Sequence, residues 1–205
     1  MNVLIACEES QIVCSEFLRL GHNAFSCDIQ KPSGCYPERH IQSDVIPLLN
    51  GKCSFKTMDG NSHIISNNWD LIIAHPPCTY LAASGSVRLY PSAGRIDIDR
   101  YNKGVQAADF FYKIYNCECK HICIENPRPL KIYNLPPCSQ NIEPYLFGDP
   151  YSKRTLLWLK GLPPLFATLI CSEFQSWTKI HSSAKIRSKT FPGIAKAMAS
   201  QWSIY

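Results

Sequence analysis

The chain has 205 residues, 45% hydrophobic and 18% charged, which is apolar mass for a packed core and excludes a disordered or fibrous protein. Its net charge of +5 is uneven: residues 1–150 hold 13 basic and 15 acidic side chains, whereas residues 151–205 hold 8 and 1, a local excess of +7. No apolar run approaches the ~18 residues of a membrane helix, and Val3-Leu4-Ile5-Ala6-Cys7 gives way to Glu8-Glu9 too soon for a signal peptide, so a cytoplasmic chain without membrane contact is expected.

Strand and helix patterns alternate. Residues 3–7 have the apolar run of a buried strand. Ile12, Val13, Phe17, Leu18 and Leu20 carry helical spacing over residues 11–20, which Gly21 ends. A short strand over 24–27 stops at Asp28, another acidic strand end follows at Asp44, and residues 51–68, with two glycines and several Asn and Ser, fit a surface excursion. Residues 69–74 form the clearest buried strand and run into His75-Pro76-Pro77-Cys78. A helix is expected over 102–115, a strand over 121–124 ending in the turn Glu125-Asn126-Pro127, a strand over 155–159, a turn over 161–164 and a final helix over 193–202. This alternation predicts one α/β domain: an open, mostly parallel sheet with helices on both faces, its ligands bound beyond the carboxyl ends of the strands.

The chemically useful residues fall at those ends. Cys78 follows two prolines, which remove backbone donors and stiffen the turn, so a thiol is displayed at the sheet edge as a nucleophile would be. Glu125 arrives at a neighbouring strand end, where a partly buried carboxyl group donates a proton or binds a ring nitrogen; a turn-forming role is the alternative. Asp28 lies 21 positions after Cys7, the spacing of a ribose-binding acid. The first turn, Ala6-Cys7-Glu8-Glu9-Ser10, has no glycine, so no phosphate cradle is expected and a phosphate-free cofactor is favoured. Eleven cysteines in irregular spacing fit a reducing compartment. Cys117, Cys119 and Cys123 lack paired metal-ligand spacing and suit buried structural thiols, so no metal is expected. The basic C-terminal quarter suits a polyanion, or simply a solvated face.

Taken in order, these residues resemble the DNA cytosine-5 methyltransferases, in particular a small phage-type branch. Pro77-Cys78-Thr79-Tyr80-Leu81-Ala82-Ala83-Ser84-Gly85 is similar to the family's Pro-Cys-Gln-x-Phe-Ser-x-Ala-Gly nucleophile loop, with Thr79 in place of glutamine. Glu125-Asn126-Pro127 resembles its Glu-Asn-Val motif, and Ser152-Lys153-Arg154 its Arg-x-Arg motif, with Arg154 at the second arginine. Phe191-Pro192-Gly193-Ile194-Ala195 stands where the C-terminal helix closes the cofactor pocket. The resemblance implies a Rossmann-like methyltransferase fold over residues 1–205. Residues 160–189 form a short insert in place of a target-recognition domain, so recognition falls to a partner protein or is weak.

The implied cofactor is S-adenosylmethionine, held by Ala6, Cys7, Glu8 and Ser10 of the first turn, by Asp28, Ile29, Asp44 and Val45, and by Pro76, Ile194 and Ala195. The implied substrate is cytosine in DNA, touched by Pro77, Thr79, Ser84, Gly85, Arg88 and Asn126, with the loop 82–100 and its Arg88, Arg95 and Arg100 closing over an extruded base. The implied chemistry is attack of Cys78 on carbon 6, with Glu125 hydrogen-bonding or protonating N3 and Arg154 holding the base and its phosphate. Three other readings stay open: an amino-methylating enzyme, for which His75-Pro76-Pro77-Cys78 resembles the Asn/Asp-Pro-Pro-aromatic turn, another carbon 5 pyrimidine-modifying enzyme, and a non-catalytic DNA-binding protein of the same fold.

Overall fold

The computed structural model describes residues 1–181 and 183–203. Among the described residues eleven strands form: β1 (Asn2–Ala6), β2 (Asn23–Asp28), β3 (His40–Gln42), β4 (Cys53–Lys56), β5 (Ser62–Ile65), β6 (Leu71–Ala74), β7 (Ile122–Asn126), β8 (Gln140–Ile142), β9 (Tyr151–Ser152), β10 (Thr155–Lys160) and β11 (Gln175–Ser176). The helices are α1 (Ile12–Arg19), α2 (Ser86–Leu89), α3 (Ile98–Tyr115), α4 (Trp177–Ile180), α5 (Ala184–Ser188) and α6 (Pro192–Trp202).

Seven strands make one sheet in the order β3-β2-β1-β6-β7-β10-β8. Six run parallel, and β10 runs against both β7 and β8. This is the Rossmann-like open α/β sheet that the alternation of elements predicts, with its order reversing between β1 and β6. Alternation along β1 sorts its side chains: Val3 and Ile5 face α1 and α6 through Val13, Phe17, Met198 and Trp202, whereas Leu4 and Ala6 face α3 through Phe111 and Ile114. Both layers are closed to water, so these strands are apolar along their whole length.

Several boundaries differ from the sequence reading. Helix α3 starts four residues earlier than expected, because the Asp97 side chain caps it by accepting from the Arg100 N–H at 2.8 Å. Glu125 and Asn126 belong to β7 itself and are buried rather than forming a turn. The excursion over 51–68 contains the hairpin β4–β5, and its side chain Phe55 stacks with Trp69. Residues 160–189 are tied to the body: β11 pairs with β9, and the Trp177 ring packs against Tyr151 and Phe191. The same segment exposes Phe166, Leu169, Ile170 and Phe174. Cys117, Cys119 and Cys123 are buried, and burial raises each thiol above its ordinary value. Among the described residues, no helix is long and apolar enough to cross a membrane, and no cluster of His, Cys, Asp and Glu has the makings of a metal site.

Candidate active site

The ends of β1 and β6 meet at the point where the strand order reverses, joined by the hydrogen bond from His75 N–H to the Ala6 carbonyl at 2.9 Å. The turn after β1 achieves without glycine what the sequence leaves open: Cys7 and Gln11 both take φ of +58°, the left-handed region that glycine normally supplies. Gln11 is held there by its buried amide, which donates to the Tyr36 carbonyl and accepts from the Tyr36 N–H, fastening the loop after β2 over the turn.

Glu8 ends at the start of α1. Its carboxylate accepts from the N–H groups of Val13 at 2.6 Å and Cys14 at 3.2 Å. A helix start is otherwise a ready anion site, so this side chain fills the place a phosphate would take. Burial pushes the Glu8 carboxyl group up, against the opposing pull of His75 and the two helix N–H groups. The absence of a phosphate cradle, inferred from missing glycines, therefore has a second cause in an internal carboxylate.

At the centre lies a pair that sequence reading only half found. His75 Nδ1 stands 3.3 Å from Glu125 Oε2, with side chains 12% and 9% exposed. The Thr190 hydroxyl donates to the same oxygen at 3.2 Å. Burial acts to lower His75, but the Glu125 carboxylate and then Glu8 outweigh it and raise it overall. Burial acts to raise Glu125, and His75, Lys153 and the Thr190 hydroxyl together bring it below the usual carboxylate range. The two shifts favour the charged form of each partner, so His75 and Glu125 stabilise one another as an ion pair. The second ring nitrogen, His75 Nε2, is buried and has no hydrogen-bond partner, and the same holds for Asn126 Oδ1 and Glu9 Oε2. These three orphaned polar atoms stand at or just beyond the ends of adjacent strands, where they are open to a polar ligand's hydrogen bonds.

Cys78 lies beside this pair, half-buried. Burial raises its thiol, the Lys153 ammonium opposes that, and the Glu125 charge adds to it. Lys153 is therefore the basic group within electrostatic reach of Cys78, His75 and Glu125, whereas Arg154, the residue singled out from the Arg-x-Arg likeness, is exposed. Adjacent residues beside a strand point to opposite faces, and the sequence alone does not say which one points in. The nucleophile loop is pinned from behind: Arg100 donates to the Thr79 carbonyl at 2.8 Å and lies over the Tyr80 ring. A side chain at Gly85 would come within 2.7 Å of the same guanidinium. Arg100, expected on a mobile flap, is thus part of the loop's support, while Ser84 and Arg88 remain exposed.

The rim beyond β2 and β3 is open. Asp28 and Asp44 each accept a local backbone N–H, from Gln30 at 2.8 Å and Ile46 at 3.0 Å, and Ile29, next to Asp28 in the chain, is 73% exposed. The Cys7 thiol, raised mainly by burial, also feels Asp28 and Asp44, so these three residues share one neighbourhood. Ala6, Val45, Ile194 and Ala195 are buried in the two core layers, where their side chains serve packing. Pro76 is buried with its carbonyl accepting from Asn126 Nδ2 at 3.4 Å, and Pro77 and Thr79 are exposed.

The segment before α6 closes the crevice. Lys189 Nζ donates to Ser33 Oγ at 2.9 Å and stands 3.8 Å from Glu9 Oε1, and Lys153 lies over the Phe191 ring. The helix comes this close because Gly193 has no side chain: a Cβ there would collide with the Phe147 carbonyl. Thr190 and Lys189 carry no periodic or motif signal that would have revealed them.

No protein-family model matches the sequence, and no curated protein matches it. Among solved structures, the chain is similar to a prophage-encoded E. coli protein assigned as a DNA modification methyltransferase, with 15% identity and a TM-score of 0.45. That match covers 83% of this chain and 52% of the other, so this chain spans about half the length of the protein it matches.

Proposed function

We propose that the protein is an S-adenosylmethionine-dependent DNA methyltransferase acting at carbon 5 of cytosine, with Cys78 as nucleophile. The observation that carries this reading is that a half-buried cysteine and a buried carboxylate stand at the ends of the neighbouring parallel strands β6 and β7, with Lys153 within electrostatic reach of both.

The donor set fits the cofactor. Glu8 fills the helix start that a dinucleotide's phosphates would need, and the rim offers two carboxylates for hydroxyl and amino groups beside an exposed Ile29 for an apolar ring face. Asp28, Asp44 and Ile29 would hold the nucleoside, and Glu9, with a buried unpartnered oxygen, the cationic end. When bound, the cofactor supplies an electrophilic methyl group.

The chain's own residues do the rest. Lys153 favours the thiolate of Cys78, which adds to carbon 6 of the ring and makes carbon 5 nucleophilic; loss of the carbon 5 proton afterwards expels the cysteine. Glu125 orients the base, itself held by His75 Nδ1 and the Thr190 hydroxyl at Oε2. The basic C-terminal quarter supplies phosphate contacts, and a base in duplex DNA is turned out of the stack to reach the crevice. Target recognition rests on residues 160–189 or on a partner protein docked against their exposed apolar side chains.

The test is incubation with methyl-labelled S-adenosylmethionine and unmethylated DNA, followed by digestion to nucleosides. The expected product is 5-methylcytosine, absent with Cys78→Ser. Labelled N4-methylcytosine or N6-methyladenine that survives the substitution would overturn the assignment.

A further inference from the structure

Trp177, which opens α4, sits in a cluster of rings that the chemistry of Cys78 and Glu125 does not use. Its ring centroid lies 4.6 Å from that of Tyr151, 4.8 Å from Phe191 and 4.0 Å from His181. Tyr151, Trp177 and His181 are half-buried, so part of the cluster faces solvent. Its inner edge borders the site twice. Lys153, within electrostatic reach of Cys78, lies over the Phe191 ring, and Thr190, next to Phe191 in the chain, donates to Glu125.

The other three tryptophans show what a packing role looks like. Trp69, Trp158 and Trp202 are 2%, 1% and 0% exposed, and each donates its indole N–H to a backbone carbonyl, of Leu48, Pro136 and Pro163 in turn. Trp177 departs on both counts: its ring is partly open, and its N–H is buried with no hydrogen-bond partner among the described residues. A ring kept only for packing avoids that cost by being Phe, so the unused donor points to a ligand. The charge around it points to the kind of ligand. Glu173 is the one acidic residue in the sequence from 151 to 205, whereas Lys179 and Arg187 flank His181 in the chain, and Arg187 Nη1 donates to the His181 carbonyl at 3.2 Å. Partly open rings interleaved with cations suit a nucleic-acid strand, whose bases stack while its phosphates are neutralised.

We infer that Trp177, together with Tyr151 and His181, is a stacking subsite for the base next to the target cytosine in the same strand. The inference rests on the proposed action on cytosine in DNA and deepens it, because it gives the short segment 160–189 a definite part in holding the substrate. Stacking accepts any base face, so the subsite asks for a base at that position and not for a particular one.

The test is equilibrium binding, without cofactor, of a short single-stranded oligonucleotide with one cytosine among thymines, and of two copies in which the nucleotide on the 5′ or the 3′ side of that cytosine is abasic. Trp177→Ala is expected to weaken binding of the intact strand about tenfold or more. For one of the abasic copies, which lacks the stacked base, the same substitution should matter by about twofold at most, because the two deletions remove one interaction. A ring that only holds the fold together would weaken all three strands alike; that result overturns the inference, while binding itself upholds a DNA substrate. A wild type that binds none of the strands overturns both. Should Trp177→Ala fail to fold, the wild type decides alone, because Trp177 is the tryptophan a docked base can quench. Saturating intact strand is expected to quench the fluorescence and one abasic copy to leave it unquenched; equal quenching by all three strands, or none by any, overturns the inference.

Discussion

The strand ends divide into two halves built on opposite plans. At β1, β6 and β7, Glu8, His75, Glu125 and Thr190 are buried and already bonded to one another or to a helix start. At β2 and β3, Ile29 and Asp44 are exposed and Asp28 is half-buried, and the two carboxylates accept from backbone of their own turns. The first half is assembled before any ligand arrives, and its charges are part of the fold's stability. The second half spends almost nothing on folding and leaves its hydrogen-bonding capacity for a ligand. Substitutions should therefore separate cleanly: inner residues cost stability as well as chemistry, rim residues cost binding alone.

The nucleophile itself gives the largest effect. Cys78→Ser leaves a half-buried side chain of similar size, so the urea midpoint should barely move, while methyl transfer to cytosine falls by at least ~10³. The inner ion pair comes next. Glu125→Ala strands a buried histidine cation and is expected to cost about 3 kcal/mol, read from the urea midpoint. That cost has a pH window. His75 is raised in the folded state, so its share is complete below its unfolded value of about 6.5 and is lost as pH climbs through the raised value. Glu125 is lowered, so its share is present above about 4.3 and is lost as pH drops through the lowered value. The difference between wild type and Glu125→Ala should peak between these limits and shrink on either side.

The rim gives the third effect. Asp28→Asn removes a charge from a half-buried side chain bonded to backbone of its own turn, so stability should stay within about 1 kcal/mol of wild type. Affinity for S-adenosylhomocysteine by calorimetry should fall about tenfold, near 1.4 kcal/mol. A stability loss matching the loss of affinity would mean that the rim is structural and would erase the contrast between the two halves.

The same contrast explains what the sequence disclosed. Buried parallel strands such as β1, β6 and β7 announce themselves as unbroken apolar runs, and placing chemistry at their ends follows from the fold class, which is how Cys78 and Glu125 stood out. The hairpin β4–β5 and the three-residue strand β8 are too short and too polar to register by periodicity. In the site, Thr190 reaches Glu125 from 65 positions away, and only the folded chain brings α6 back over β7. Glu8 looked like a cofactor ligand because it follows β1, and the structure uses it to start α1. The glycine-less turn looked incompatible with the usual first loop, and two residues with positive φ supply the missing geometry.

The smallest expected effect sharpens the choice between two adjacent basic residues. Lys153 lies within electrostatic reach of Cys78, and its charge opposes the rise that burial imposes on the thiol; Arg154 is exposed. Lys153→Gln should therefore move the pH profile of Cys78 alkylation by iodoacetamide to higher pH and slow the reaction about threefold at pH 7.5, followed on the Cys78 peptide by mass spectrometry. Arg154→Gln should leave that profile in place, because a charge held in solvent is screened before it reaches a half-buried sulfur. If instead Arg154→Gln moves the profile and Lys153→Gln does not, then the chain before β10 faces the other way, and the inner half of the site would owe its positive charge to the arginine that the motif likeness first pointed to.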